Sequence, residues 1–393
     1  MNLSLYFHIP FCEKRCIYCD FNTTTGKSGL IPDYIQALSK EIRVVTAHSD
    51  LSDVHSIYFG GGTPSLIPID QYDLLFQTIN ESFHLTKDCE ISLEANPGTL
   101  SGAYVSALKT LGFNRISLGV QSTNAFDLAR LSRIHDVNDI LKSFTMLRNA
   151  GFDNINLDLI FGLPWQDKAS WEHSLERAAA LEPEHFSLYS LIIEPGTKLY
   201  DWHQKGWINQ QDQDLEGDMY EFAMDFLSQK GYEHYEISNW ARIKPGKDLR
   251  CRHNFQYWLN APYLGLGAGS HGYIENIRTE NEPDLEKYIE MINRPMAIDR
   301  EFPQSPTTIG TQIVDQNTQM KDFMLLGLRL IRDGVSVARF FEWYRKSMGD
   351  VFKDEIKILE SQGLIAWEGD LRNKLRLTKR GILVANQVFM QFV

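Results

Sequence analysis

Short apolar runs alternate with longer amphipathic segments along the first 230 or so residues of the chain. The runs that predict strands cover residues 3–9, 54–59, 90–95, 115–120, 154–160 and 185–193. The segments that predict helices cover residues 30–46, 69–83, 101–111, 137–149, 169–181 and 213–230. Strands that alternate with helices predict βαβ units and a parallel sheet, and six such units favour an open β/α barrel over a closed eight-fold one.

The pattern changes after about residue 235. A glycine-rich turn, GLGAGS, covers residues 265–270, and residues 281–312 are polar and contain proline, which predicts a linker. Short helices at 340–349 and 354–363, followed by strands at 364–367 and 375–377, resemble a small winged-helix module. We therefore expect a barrel at 1–235, a connecting segment at 236–310 and an α-rich, winged-helix-like C-terminal domain at 311–393.

Composition narrows the class of protein. Hydrophobic residues make up 43% of the 393, which is enough for a sizeable core, and the net charge is −12 with a pI near 5.4. Such a chain repels phosphate backbones, so we expect no nucleic-acid partner. The sequence contains neither a leader pattern nor an apolar stretch of about 18 residues, which predicts a cytoplasmic protein.

Three of the five cysteines lie within eight residues and follow the first predicted strand. Cys12, Cys16 and Cys19 have the spacing CxxxCxxC, and three thiolates in one loop can bind three irons of a cubane. The fourth iron would stay open to a small chelating ligand. A zinc site or chance crowding is the alternative, although structural zinc needs four protein ligands. His8 offers a fourth ligand, but strand alternation predicts that it is buried.

Residues 6–12, YFHIPFC, and 16–19, CIYC, resemble the radical S-adenosylmethionine (SAM) superfamily. Within it, the chain is most similar to the family of oxygen-independent coproporphyrinogen III dehydrogenase and its relatives. The resemblance implies a radical SAM barrel, a 4Fe-4S cluster on the three cysteines, and SAM chelated to the open iron. It also implies an electron donor, since one electron from the cluster cleaves SAM to methionine and a 5′-deoxyadenosyl radical.

The same resemblance assigns further residues to the cofactors. They are Tyr6, Tyr18, Gly61, Gly62, Thr63, Glu94, Gln121, Arg133 and Asp158. The turn GGGTP at 60–64 would hold the SAM amino group, since glycines let the backbone approach a ligand and offer N–H groups; otherwise it is only a tight turn. Glu94 would lie near the SAM ribose, or else be a solvated or N-capping acid. Gln121, Arg133 and Asp158 would lie near SAM or a second ligand, where Arg133 could pair with a carboxylate bidentately, or else they are structural. Tyr6 would stack near the cluster or belong to the core.

Two branches of this family fit the chain. The dehydrogenases resemble CxxxCxxCxC, whereas Phe21 occupies the position of the further cysteine here, and they extend before the first strand, whereas Tyr6 is the sixth residue. Residues 253–258, HNFQYW, match the HNxxYW signature associated with heme binding in chaperones of the HemW type. We therefore expect a heme chaperone that delivers heme to an acceptor, with the dehydrogenase as the alternative. The resemblance implies respiratory cytochromes as acceptors, hence peripheral membrane contact, and is compatible with a homodimer.

His253 carries the heme prediction. A neutral imidazole is a good ligand for heme iron, and the aromatic residues that follow offer flat faces for a porphyrin. Cys251 is the second candidate axial ligand, and His271 lies in the glycine-rich turn, where it could face the bound ligand. The alternative is that His253 belongs to an aromatic corner of the core. Cys89 is expected to be a buried apolar thiol.

Overall fold

The computed structural model describes residues 3–47, 53–294, 301–369 and 372–393. Its strands are β1 (Leu3–Ile9), β2 (Phe11–Cys12), β3 (Thr24–Thr25), β4 (Val54–Gly61), β5 (Leu85–Ala95), β6 (Arg115–Gln121), β7 (Ile155–Phe161), β8 (His185–Ser190), β9 (Tyr232–Glu236), β10 (Asn239–Arg242), β11 (Tyr263–Leu266), β12 (His271–Ile274), β13 (Ile277–Asn281), β14 (Thr308–Ile313), β15 (Val335–Ser336), β16 (Ile365–Glu368) and β17 (Lys374–Leu377). Its α-helices are α1 (Ile31–Thr46), α2 (Ile69–Ser82), α3 (Gly102–Leu111), α4 (Ala125–Arg130), α5 (Val137–Asn149), α6 (Lys168–Ala179), α7 (Lys198–Gln204), α8 (Gln213–Gln229), α9 (Arg252–Trp258), α10 (Leu285–Asn293), α11 (Gln316–Gly327), α12 (Val337–Tyr344), α13 (Met348–Val351), α14 (Lys353–Ser361), α15 (Lys379–Leu383) and α16 (Ala385–Phe389).

Six parallel strands form the centre of the molecule. β1, β4, β5, β6, β7 and β8 lie side by side in that order, and at least one helix separates each from the next along the chain. Nearly every residue of β1 is buried, as expected for a parallel strand that is covered on both faces. The predicted partial (β/α)6 barrel is therefore confirmed, with small differences at the ends of the elements.

The sheet extends beyond these six strands on both sides. β10 and β9 continue it antiparallel next to β8, while β11 pairs in parallel with β1 and is followed by antiparallel β12, β13 and β14. The segment predicted to connect two domains, 236–310, therefore contributes strands to the barrel sheet. The linker predicted at 281–312 is wrong within the described residues, since it contains α10 and most of β14; residues 295–300 lie outside them. Strands of four to six residues with mixed polarity carry little periodic signal, which explains the miss.

The C-terminal domain has its own core and a small antiparallel sheet in the order β15, β17, β16. This confirms the predicted α-rich, winged-helix-like domain. It packs on the barrel at α9, where the Arg329 guanidinium lies 4.2 Å from the centroid of the Trp258 ring and Arg250 pairs with Asp333 at 2.9 Å. The C-terminal domain thus contacts α9 and the residues just before it.

A buried carboxyl near this contact predicts a pH-dependent stability. Burial raises the pKa of Glu236 to about 7, although Arg329 opposes the shift. The folded state therefore keeps a proton that the unfolded state loses near pH 4.5, so this group lowers stability as the pH rises from about 5 to 8. We expect denaturant titrations to show that Glu236→Gln removes about 2–3 kcal/mol of that decline. Glu182→Gln, on an exposed side chain, is the control, and parallel declines in the parent and Glu236→Gln would contradict the prediction.

Candidate cluster and cofactor site

The three clustered cysteines lie in the loop that follows β1, at the carboxyl end of the parallel strands. Cys12, Cys16 and Cys19 are free, partly exposed thiols, and all three line one cavity of about 480 Å³. A short parallel pair, β2 with β3, fixes the beginning of the loop. The Cys12 Sγ lies 3.5 Å from the Thr63 Oγ1, and Arg133 donates to the Cys16 Sγ at 3.4 Å. The barrel therefore presents three thiols at its mouth.

The three thiols, as the structure describes them, do not converge on a single ion. Among the described residues, no group of three His, Cys, Asp or Glu side chains is placed to hold a single ion. The thiolates of a cubane bind separate irons, so convergence on one point is not required of them. Burial raises the pKa of Cys12 and raises that of Cys19 to about 11. Without iron these thiols are protonated at neutral pH, so iron must displace their protons when it binds.

The glycine turn after β4 is built against the cysteine loop. The N–H groups of Gly62 and Thr63 donate to the Ile9 and Phe11 carbonyls, both at 2.8 Å. The Gly61 N–H donates to Glu94 at 3.1 Å. The expectation that the turn offers these N–H groups to a ligand is therefore wrong, since protein acceptors already use them. A bound ammonium would in any case need acceptors.

Gly62 has no room for a side chain. A Cβ atom there would lie 2.7 Å from the Phe11 carbonyl oxygen, which belongs to the cysteine loop. We expect Gly62→Ala to displace this loop and to reduce reconstituted iron at least two-fold, measured by iron and sulfide analysis. Gly29→Ala is the control, because a Cβ atom there meets nothing within 4 Å. An iron content equal to that of the parent would show that the loop tolerates the displacement.

Two carboxyl groups line the cavity below the cysteines. Glu94, at the end of β5, accepts from the Tyr58 hydroxyl at 2.8 Å, so it is neither a solvated nor an N-capping acid. Burial, followed by the charge of Asp158, raises the pKa of Glu94 to about 7. Asp158 accepts from Ser117 at 2.8 Å and from Asn156 at 2.7 Å, and burial raises its pKa as well. Both groups can accept hydrogen bonds from a hydroxylated ligand.

Gln121 and Arg133 also line the cavity. Gln121 ends β6 with a φ of 66°, which is unusual for a residue other than glycine and marks a functional position or local strain. Arg133 donates to the Gly119 carbonyl at 2.7 Å, to Asn96 and to the Cys16 Sγ. Its two Nη atoms are thus already engaged by the protein, whereas its buried Nε has no hydrogen-bond partner, so the predicted bidentate pairing with a ligand carboxylate would require at least one Nη bond to break.

The two tyrosines of the prediction lie in different places. Tyr18 lines the cavity, and its environment includes Arg133 and Cys16. Tyr6 is not among the lining residues; its hydroxyl lies 3.1 Å from the His8 Nδ1, and its ring stacks on Tyr58. The structure therefore places Tyr6 half-buried beside Tyr58, which lines the cavity, and not among the lining residues themselves.

The polar lining of the barrel interior was not predicted from the sequence. These residues are Asn96, Arg115, Ser117, Asn156 and Ser187. The available signal was the presence of polar residues within strands that are otherwise apolar on both faces. Asn96 joins the two halves of the site, because it donates to Thr63 at 3.0 Å and accepts from Arg133.

His253 lies in the core rather than in the cavity. Its side chain is 1% exposed, its Nδ1 lies 3.2 Å from the Ser56 hydroxyl and its Nε2 lies 2.9 Å from the Tyr257 hydroxyl. Burial lowers its pKa to about 3, so the ring is neutral. Both nitrogens are engaged, and α9 would have to move before either could reach a heme iron. Cys251 is fully buried as well. Asn254, the residue that follows His253, lines the cavity.

The other candidates outside the cavity are Cys89 and His271. Cys89 is buried in β5, as expected. His271 is exposed at the start of β12 and is not a lining residue.

Comparison with known proteins agrees with this geometry. Residues 6–178 match the model of the radical SAM superfamily, and residues 314–384 match the HemN C-terminal domain. The chain is 39% identical to the heme chaperone HemW of Bacillus subtilis over 391 residues, which cover 99% of both chains. It is 34% identical to HemW of Lactococcus lactis, over 99% of this chain and 97% of the relative. The chain belongs to the HemW family of heme chaperones.

Membership of the HemW family also fits the likeness in fold. The structure of the coproporphyrinogen III oxidase HemN of Escherichia coli matches with a TM-score of 0.84 and 25% identity, over 100% of this chain and 90% of that one. As a radical SAM protein of the HemW family, the chain uses a 4Fe-4S cluster and SAM. No helix within the described ranges is long and apolar enough to span a membrane.

Proposed function

We propose that this protein binds heme and delivers it to acceptor hemoproteins. The observation that carries the proposal is the 39% identity to a heme chaperone over 99% of both chains. The test is anaerobic reconstitution followed by heme titration, in which about one heme per chain should give a Soret band. Transfer to an apo-hemoprotein should then move the band to the acceptor. A reconstituted parent protein that binds no heme would contradict the proposal.

Several finer features belong to the same proposal. The acceptors are respiratory cytochromes, reached through peripheral membrane contact, and a cytoplasmic electron donor reduces the cluster. The protein forms a homodimer. It has no nucleic-acid partner, in keeping with its net charge of −12. Five free cysteines suit a reducing compartment. A heme site at α9 would take His253 or Cys251 as the predicted axial ligand, and either would have to leave the core to reach iron.

In the proposed site each residue has a distinct task. When bound, the reduced cluster supplies the electron that cleaves SAM. Cys12, Cys16 and Cys19 hold the irons. The Thr63 hydroxyl, 3.5 Å from the Cys12 Sγ, and Arg133 orient the thiolates. The remaining predicted contacts, from Tyr18, Gly61, Gly62, Glu94, Gln121 and Asp158, surround SAM below the cluster.

The likeness to HemN supports a second candidate, oxidative decarboxylation of coproporphyrinogen III. The TM-score of 0.84 over the whole chain favours it. Phe21, which lines the cavity at the position of the further cysteine in the dehydrogenases, stands against it.

We expect the reconstituted protein, supplied with SAM and a reductant, to form no protoporphyrinogen IX from coproporphyrinogen III. The reason is the missing cysteine at Phe21. Chromatography of the porphyrin products measures this, and an authentic dehydrogenase in the same buffer is the control. Multiple-turnover conversion would reverse the choice between the two branches.

A further inference from the structure

The mouth of the cavity carries large apolar side chains that are open to solvent. Phe21 is 64% exposed and Ile192 is 65% exposed, and both line the same cavity as the three cysteines. Tyr189 and Leu191 extend this apolar lining from the end of β8. Exposed apolar side chains around a concave site mark a ligand surface more often than chance placement.

The apolar lining differs from the deeper part of the cavity. Buried Arg115 and half-buried Glu94 and Asp158 line the cavity within the barrel, and these polar groups suit a polar ligand such as SAM. Phe21 and Ile192 do not belong to that polar set. The mouth therefore offers a second surface with a different chemistry, which suits a large, flat, apolar ligand.

Two cations lie beside this surface. Lys14 and Arg15, in the cysteine loop, are exposed and line the cavity. Among the described residues, neither has a carboxylate partner within 4 Å; the Arg15 Nε donates to the Cys19 carbonyl at 3.2 Å. Asp20 and Glu194 also line the cavity, so the charges there are of both signs. A ligand that joins an apolar plane to carboxylates would match Lys14 and Arg15.

We propose that heme sits at this mouth, with its ring on Phe21 and Ile192 and its propionates on Lys14 and Arg15. The inference rests on the proposed function, and it gives heme a place that needs no movement of α9. No histidine within the described residues lines the cavity. The chain therefore contributes contacts to the ring and the propionates at this site, while the His253 imidazole stays in the core.

Heme titration of four proteins tests the ring contact. They are the parent, Ile192→Ser, Phe21→Ser and Ile313→Ser, the last being a control at an 82%-exposed residue of edge strand β14. We expect each mouth variant to weaken heme binding roughly ten-fold and the control to bind like the parent. Iron content is measured in each. If Phe21→Ser loses iron, Ile192→Ser decides, because it lies outside the cysteine loop.

The propionate contact has its own test. Lys14→Ala with Arg15→Ala should weaken heme binding roughly three- to ten-fold. With heme dimethyl ester, which lacks the carboxylates, the double variant should bind like the parent. Equal heme affinity in all mouth variants, with loss only in His253→Ala, would overturn the inference. A parent that binds no heme would instead overturn the proposed function.

Discussion

Replacing Cys12, Cys16 or Cys19 by serine is expected to abolish the iron–sulfur cluster. The reconstituted parent should hold about four irons and four sulfides per chain and absorb broadly near roughly 400 nm. A serine variant keeps the fold because all three side chains lie partly exposed in a loop outside the core cluster around β1. SAM cleavage should therefore fall below detection while the far-ultraviolet spectrum stays unchanged.

The matched control for these variants is Cys89→Ser. Cys89 lies in β5, is buried, and does not line the cavity. This change should leave iron content near that of the parent and lower only stability. Stoichiometric zinc without sulfide in the parent would contradict the assignment of an iron–sulfur cluster, and so would a serine variant that keeps all its iron.

The parallel barrel was predictable from sequence because parallel strands and their helices carry strong patterns. The predicted helix at 137–149 coincides with α5, whose start is fixed by a capping box between Asp136 and Asp139. The strands from β9 to β14 were not predicted. They are short, and their stability comes from pairing with β8 and β1, which local sequence does not encode.

The site, like the fold, has some features that the sequence predicts and others that it does not. Residues at strand ends were predictable, since the carboxyl ends of parallel strands meet at one edge, and Glu94 and Gln121 do line one cavity, together with Asp158 from the middle of β7. The hydrogen-bond partners of the site residues could not be predicted from the sequence. The N–H groups of the glycine turn and the Arg133 guanidinium donate to protein atoms, and only coordinates reveal this. The HNFQYW motif likewise specifies residue types without showing that α9 turns His253 inward.

His253→Ala is expected to cost about 2–4 kcal/mol of unfolding free energy. The change removes a fully buried ring that stacks on Tyr58, with centroids 5.1 Å apart, and leaves the Ser56 and Tyr257 hydroxyls without their ring partner. Denaturant titration of the cluster-free protein measures the loss. His271→Ala, on an exposed histidine, should change stability by less than about 0.5 kcal/mol.

The stability of His253→Ala decides how its heme binding is interpreted. If the variant is as stable as the parent, the ring contributes no packing and its place in the core is wrong. If it is destabilised as expected, a loss of heme measured near its melting temperature reports unfolding rather than a missing ligand. Heme titration must therefore be done where both proteins are folded. There, parent-like affinity favours the mouth site, whereas a weaker complex whose Soret band is restored by added imidazole supports ligation by His253 after release of α9.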